Sequence, residues 1–171
     1  MEKLARLPAA FRPEGTLTAG NCSGINDGAA ALIVASAAGC ERLGLQRIVR
    51  IAGFVAVGVE PRIMGIGPAP ATTRLLRQCG LRSSDLDVIE INEAFASQVL
   101  ASLRILGVPD ADKRVNPNGG AIALGHPLGM TGARLVGTAA LELRRRQGRN
   151  AIATQCVGVG QGVAMLLRAP G

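Results

Sequence analysis

The sequence predicts an α/β fold, on three observations. Segments of strand character alternate with segments of helical periodicity along most of the chain. The apolar half of the composition is Ala, Val, Leu and Ile almost throughout, with three Phe and no Trp or Tyr. Glycine is abundant, at 23 of 171 residues, and it punctuates the segment ends. A core so poor in aromatics is held by close backbone packing, which small side chains allow.

Taken in order, residues 1–15 are irregular and Pro-bearing, closer to a connector than to the start of a domain. Thr16 to Ala19 is consistent with a short strand, and Asn21 to Gly28 with a polar, glycine-punctuated turn. Ala29 to Ala35 is a continuous apolar run, which predicts a buried strand. Ala37 to Leu43 reads as a short helix stopped by Gly44, and Arg47 to Val59 as a strand with a bulge at Gly53. A loop from Gly65 to Pro68 precedes a helix over Ala69 to Cys79, capped by Gly80.

Ser84 is expected to cap a brief turn, Asp87 to Ile91 to form a strand, and Glu93 to Leu106 a helix closed by Gly107. A second glycine-rich loop runs from Asn116 to His126. Leu128 to Gln147 is the longest helix, apolar almost all round in its first three turns, so burial is expected. Strands at Ala151 to Gln155 and Val163 to Leu167 are joined through Cys156 to Gly162.

Several function classes fall away. The net charge of +7 comes from scattered Arg, and its one cluster (Arg144, Arg145, Arg146, Arg149) ends a helix, where cations suit the dipole. With aromatics scarce, base stacking has little to work with, so nucleic acid is not the expected partner. A diffuse positive field suits a phosphorylated small molecule instead. No apolar run approaches the roughly 20 residues of a membrane span, and the first residues lack a signal-peptide core. Cysteines at 22, 40, 79 and 156 fit neither a metal site nor a disulfide framework. The expectation is a reduced, cytoplasmic protein.

Three loops carry reactive groups among glycines, which let a backbone approach a ligand. Asn92 stands where a strand passes into a helix; it serves either as N-cap or as an amide donor to substrate, and local sequence favours the cap. His126, the chain's only histidine, reads equally as a structural residue or as a proton-transfer group. Cys156 reads as a small buried hydrophobe or as a thiol beside the N–H donors of Gly158, Gly160 and Gly162. Cys22, Cys40 and Cys79 have no such setting and are taken as structural.

Together these segments resemble the thiolase family. Asn92-Glu93-Ala94-Phe95, then Asn118-Gly119-Gly120 through Gly125-His126-Pro127, then Cys156-Val157-Gly158 occur in that family's order and spacing. The variants at 125–134 and 156–162 look most like the thiolases that act on 3-oxoadipyl-CoA in aromatic degradation. Many acetoacetyl-CoA thiolases carry Gly and Met where this chain has Val159 and Gln161; that substrate is the alternative. The resemblance spans the chain but only the C-terminal part of a thiolase. It implies a layered α/β/α half with a mixed sheet and a buried central helix. Residues 1–46 would be a remnant of the loop region and N-terminal domain, and 47–171 the C-terminal domain.

The resemblance also implies roles. His126 would activate a nucleophilic Cys; Cys156 would be the acid/base; Asn92, through a water, and His126 would stabilise one oxyanion, and the Gly158 N–H a second. Ser23, Met64, Ala94 and Phe95 would line the pantetheine and acyl pocket. CoA and acyl-CoA would be substrates, with no tightly bound cofactor and no metal. The family's nucleophilic Cys has no counterpart here, so an N-terminal half is the implied partner, and the chain alone is expected to be inactive. A homo-oligomer is implied as well. The competing reading is a non-catalytic module that binds acyl-CoA or another subunit.

Overall fold

The computed structural model describes residues 2–170. A four-stranded mixed sheet organises them: β1 (Arg50–Gly58), β2 (Val88–Ile91), β3 (Asn150–Val157) and β4 (Gln161–Arg168), in the order β1-β4-β3-β2. β4 is antiparallel to both its neighbours, and β2 is parallel to β3. The register of β1 on β4 shifts between Ile51 and Gly53, so the expected bulge is present.

Helices α3 (Pro68–Gln78) and α4 (Ala96–Ile105) cover one face. There Leu75, Val99 and Leu103 meet Ile89, Ile91, Ile152 and Leu166. Helix α6 (Thr131–Arg146) covers the other, where Ala139, Ala140 and Leu143 meet Val88, Ala151 and Leu167. The alternation along β2 and β3 supplies both faces, as expected for strands buried on two sides. The remaining helices, α1 (Glu2–Ala5), α2 (Ala37–Leu43) and α5 (Ala121–Leu124), are short. No helix of the described residues is long and apolar enough to cross a membrane.

Close packing is most acute where α3 meets β4. A Cβ on Gly162 would collide with the carbonyl of Gly67, the residue that leads into α3. The small residues therefore let this helix approach the sheet backbone directly.

Several expectations are corrected. Ala29 to Ala35 forms no strand and is exposed, with Ile33 at 86%; no strand of the described chain lies beside it to take its backbone groups. Thr16 to Ala19 shows only a single bridge, Thr18 to Ala9. The segment at 65–68 is no open loop: a 3-10 helix runs Pro61–Ile66 and Pro68 opens α3, as proline at a first helical turn can. A 3-10 turn at Ser83–Asp85 is led by Arg82 rather than Ser84, the Arg82 N–H donating to Asp85 Oδ2 at 2.8 Å.

Helix α6 starts at Thr131 and buries one stripe, not its whole circumference, because only the sheet side is occupied; Ala133 and Val136 in its first turns are half-buried, and Leu141 is 53% exposed. Beside it an apolar groove of about 300 Å3 opens between Leu32, Val34, Phe54, Val136 and Met165. Nor is the arginine cluster all solvated. Arg146 binds Glu142 and donates to the carbonyls of Asp87 and Lys113, strapping the helix end to two loops.

Candidate active site

Two of the candidate residues, Asn92 and Cys156, lie at the carboxyl ends of the parallel strands β2 and β3, the end of a parallel sheet where ligands commonly bind. Pairing of Ile91 with Thr154 sets the register, and the Asn92 N–H donates to the Thr154 carbonyl at 3.0 Å. Asn92 therefore follows β2 directly and lies beside Thr154 of β3, two positions before Cys156. Cys156 is the seventh residue of β3 and pairs with Gly162, so it belongs to the strand and not to the connection.

Asn92 is not a helix cap. Phe95 holds the N-cap position of α4, in extended conformation, and residues 93–95 run straight alongside 21–23. The Ser23 N–H donates to the Ala94 carbonyl, Cys22 bridges Phe95, and the Ala96 N–H donates to the Asn21 carbonyl. Pairing with this earlier segment overrides the helical preference of Glu93 and Ala94. Asn92, fully buried, is thus free to point its amide elsewhere.

It points at His126. Asn92 Nδ2 lies 3.3 Å from His126 Nε2, and His126 Nδ1 lies 2.8 Å from Thr131 Oγ1. The Thr131 hydroxyl has one proton, and it donates that to the Pro127 carbonyl at 2.8 Å. Its oxygen can then only accept from His126, which places the ring proton on Nδ1 and leaves Nε2 as the free base. Burial, and secondly the charge of Arg134, lower the His126 pKa from its ordinary value, favouring that neutral form.

The loop carrying His126 is held by groups the sequence reading passed over. Glu93 accepts from Asn116 Nδ2 at 2.8 Å and from the Ile122 N–H at 3.1 Å. Gly120 admits that carboxylate, since a Cβ there would overlap it. Asn118 donates to the buried Glu142 at 3.1 Å, and the His126 N–H donates to Asn26 Oδ1 at 3.1 Å. The available signal was the position of Glu93 and Thr131 inside the two motifs, one residue after Asn92 and five after His126.

Burial pushes the Cys156 thiol above its ordinary pKa, so at neutral pH it holds its proton. Beyond it the chain turns through Gly158, Val159 and Gly160. Gly158 is exposed with open space around its Cα. Val159 has a φ of 58°, a conformation costly for a β-branched residue. Of the expected pocket residues, Ser23, Ala94 and Phe95 are brought together by the pairing above. Met64 sits apart, half-buried on the 3-10 helix that packs against α4. Among the described residues no group of three or more His, Cys, Asp or Glu is placed to hold a metal.

Comparison with known proteins follows these lines. Residues 45–169 match the family model described as thiolase, C-terminal domain, and residues 1–38 that of the thiolase N-terminal domain. The chain is 59% identical to the 3-oxoadipyl-CoA/3-oxo-5,6-dehydrosuberyl-CoA thiolase of Escherichia coli K12, over 98% of its own length and 42% of that relative's. It is 60% identical to the beta-ketoadipyl-CoA thiolase of Pseudomonas aeruginosa, with the same coverage. Among solved structures, human mitochondrial 3-ketoacyl-CoA thiolase in complex with CoA superposes with a TM-score of 0.94 at 46% identity, over 99% of this chain and 42% of that one. The chain thus spans about two fifths of the length of the proteins it matches.

Proposed function

The chain belongs to the thiolase family, and from that premise we propose that it supplies the acid/base and oxyanion groups of a CoA-dependent acyltransfer site. The substrate we assign is 3-oxoadipyl-CoA, cleaved with CoA to acetyl-CoA and a shortened acyl-CoA. Support for that substrate comes from the names of the bacterial relatives and from the residues at 125–134 and 156–162.

The observation that carries the reading is the Asn92–His126–Thr131 chain, in which Thr131 takes the Nδ1 proton and Nε2 is the nitrogen turned to Asn92. In the proposed reaction, His126 Nε2 takes the proton of a cysteine thiol contributed from outside this chain. The thiolate attacks the 3-oxo carbon, and the C–C bond breaks with its electron pair passing to the departing acetyl-CoA enolate. Cys156, held as a thiol, donates the proton to that carbanion. Its thiolate then removes the proton of incoming CoA, whose sulfur takes the acyl group from the enzyme cysteine. His126 with Asn92, through a water, stabilises the oxyanion of one step, and the exposed Gly158 N–H that of the other.

Ser23, Met64, Ala94 and Phe95 are proposed to line the pantetheine and acyl channel. CoA enters as substrate, and no resident cofactor is required. Residues 1–46 are proposed to belong with the N-terminal domain and 47–171 with the C-terminal domain, in a cytoplasmic homo-oligomer. The test is complementation with the N-terminal portion of the E. coli relative, assayed by loss of the 3-oxoacyl-CoA enolate absorbance. CoA-dependent cleavage is expected only in the mixture, and a His126→Ala chain should abolish it. A folded mixture with no cleavage of any 3-oxoacyl-CoA refutes the assignment.

A further inference from the structure

Asn116 spends its side chain on the two residues that flank Asn92. Its Oδ1 accepts the Ile91 N–H at 2.9 Å, and its Nδ2 donates to the Ile91 carbonyl at 2.9 Å and to Glu93 Oε1 at 2.8 Å. Both donors and the acceptor of one amide are thereby used on either side of Asn92.

The backbone explains why an asparagine stands there. Residues 114–116 run along the edge of β2 opposite β3: the Ile89 N–H donates to the Arg114 carbonyl at 2.8 Å, and the Asn116 N–H to the Ile89 carbonyl at 2.9 Å. A continuing strand would next pair with Ile91. Asn116 instead has a φ of 41° and is followed by Pro117, so the backbone leaves the edge. The side-chain amide takes the place of the missing strand residue. Asparagine tolerates the left-handed conformation and carries both hydrogen-bond polarities. An aspartate carboxylate lacks the two donors, and serine has only one.

Repair of the edge requires only the two bonds to Ile91. The third bond goes to Glu93, whose other oxygen accepts the Ile122 N–H at 3.1 Å, on the short helix α5 that leads into His126. On its opposite side Asn92 is held by its N–H on the Thr154 carbonyl at 3.0 Å. The Asn116 amide therefore fixes the strand end that carries Asn92, and through Glu93 it reaches the loop that carries His126.

Asn92 Nδ2 and His126 Nε2 meet at 3.3 Å, which leaves little slack. Beyond about 3.5 Å a hydrogen bond is no longer useful, so a few tenths of an ångström at the end of β2 decide whether Asn92 engages the base. We propose that Asn116 is a positioning residue for the proposed reaction: acting through Ile91 and Glu93, it sets the approach of Asn92 to His126 Nε2.

The proposal rests on the reading of Asn92 and His126 as the site, but its test needs no turnover. His126 is the only histidine, so its imidazole NMR signals are unambiguous. Asn92 donates to the unprotonated Nε2, which favours the neutral ring, and losing that bond raises the His126 midpoint. Asn92→Ala sets the scale, with an expected rise of about half to one pH unit. Asn116→Gly permits the left-handed backbone and deletes only the amide; it should give most of that rise and keep the Nδ1–H signal. Asn150→Ala removes a comparable side-chain bond, to the Asp85 carbonyl at the amino end of β3. It should lower the melting temperature and leave the midpoint in place. Where Asn116→Gly does not fold, Asn116→Ser, uncharged and with an oxygen of its own, decides by a smaller rise in the same direction. A midpoint unmoved in the folded Asn116 variant, or an equal rise in Asn150→Ala, overturns the proposal. Neither result touches the assignment of His126 itself, which complementation tests separately.

Discussion

Asn92 and His126 lie 34 positions apart in sequence and meet with Nδ2 3.3 Å from Nε2. One ends a parallel strand, and the other hangs on a glycine-rich loop ahead of α6. Each is anchored from behind: Asn92 by its backbone on β3, and His126 by the Thr131 hydroxyl. The position of the imidazole is therefore set by anchoring groups behind the two side chains that meet.

Removing the anchor on Nδ1 should release the tautomer. Thr131→Val preserves shape but leaves Nδ1–H and the Pro127 carbonyl without the hydroxyl. Thr131 is fully buried, so about 1–3 kcal/mol of stability should be lost, measured by urea unfolding. Imidazole 15N shifts should change from a single Nδ1–H form to a mixture, and a spectrum unchanged from wild type would disprove the tautomer assignment.

Glu93 is expected to matter for the loop and not for proton transfer. Glu93→Ala strips the acceptor from both Asn116 and the Ile122 N–H, and about 3 kcal/mol should be lost. Amide exchange at Ile122 should accelerate well beyond that at the centre of β3. Equal protection in the variant would mean that the carboxylate does not clamp the loop.

Two carboxylates impose opposite pH dependences. Glu142 is held down to about 2, first by its bond to Arg145 and then by Asn118 and Arg146. Its contribution is present above pH 4.5 and disappears as pH falls towards 2. Glu90 is raised to about 7, so the folded state prefers its protonated form. Its contribution is complete below pH 4.5 and is lost as pH rises through 7, by about 3 kcal/mol in all. Glu90→Gln should flatten the fall between pH 5 and 8 in thermal melts, leaving the acid limb intact. A wild-type slope that persists in the variant contradicts the burial argument.

The turn after Cys156 stores strain. Val159 has positive φ and is 85% exposed, so its side chain gains little burial in return. Val159→Gly should stabilise the chain by about 1 kcal/mol. A lower melting temperature for the variant would show that the side chain makes a contact that outweighs the strain.

Much of the architecture was legible because it is local. Helices at 37–43, 68–78 and 131–146 follow from periodicity and from stop signals such as Gly44 and Gly80, both with positive φ. The bulge near Gly53 followed from a glycine inside a strand pattern. The failures share a cause. Ala29 to Ala35 has the composition of a buried strand, but a strand needs a neighbour. Glu93 to Phe95 has helical preference, but it pairs with residues 21–23 instead. Composition records what a segment can do, and pairing decides what it does.

By itself, the sequence determined the α/β class and the family resemblance, and it singled out Asn92, His126 and Cys156 as candidate site residues. Each of these is written in residue type, spacing or short-range order. The tertiary structure alone decided that Asn92 meets His126 and is not a cap, that Thr131 dictates the ring tautomer, and that Arg134 of α6 approaches the buried Glu90 of β2. Those facts depend on which strand ends and helix turns are brought within 3–4 Å. Hydrogen bonding and desolvation act only over such distances, and residues far apart in the chain acquire them only by folding.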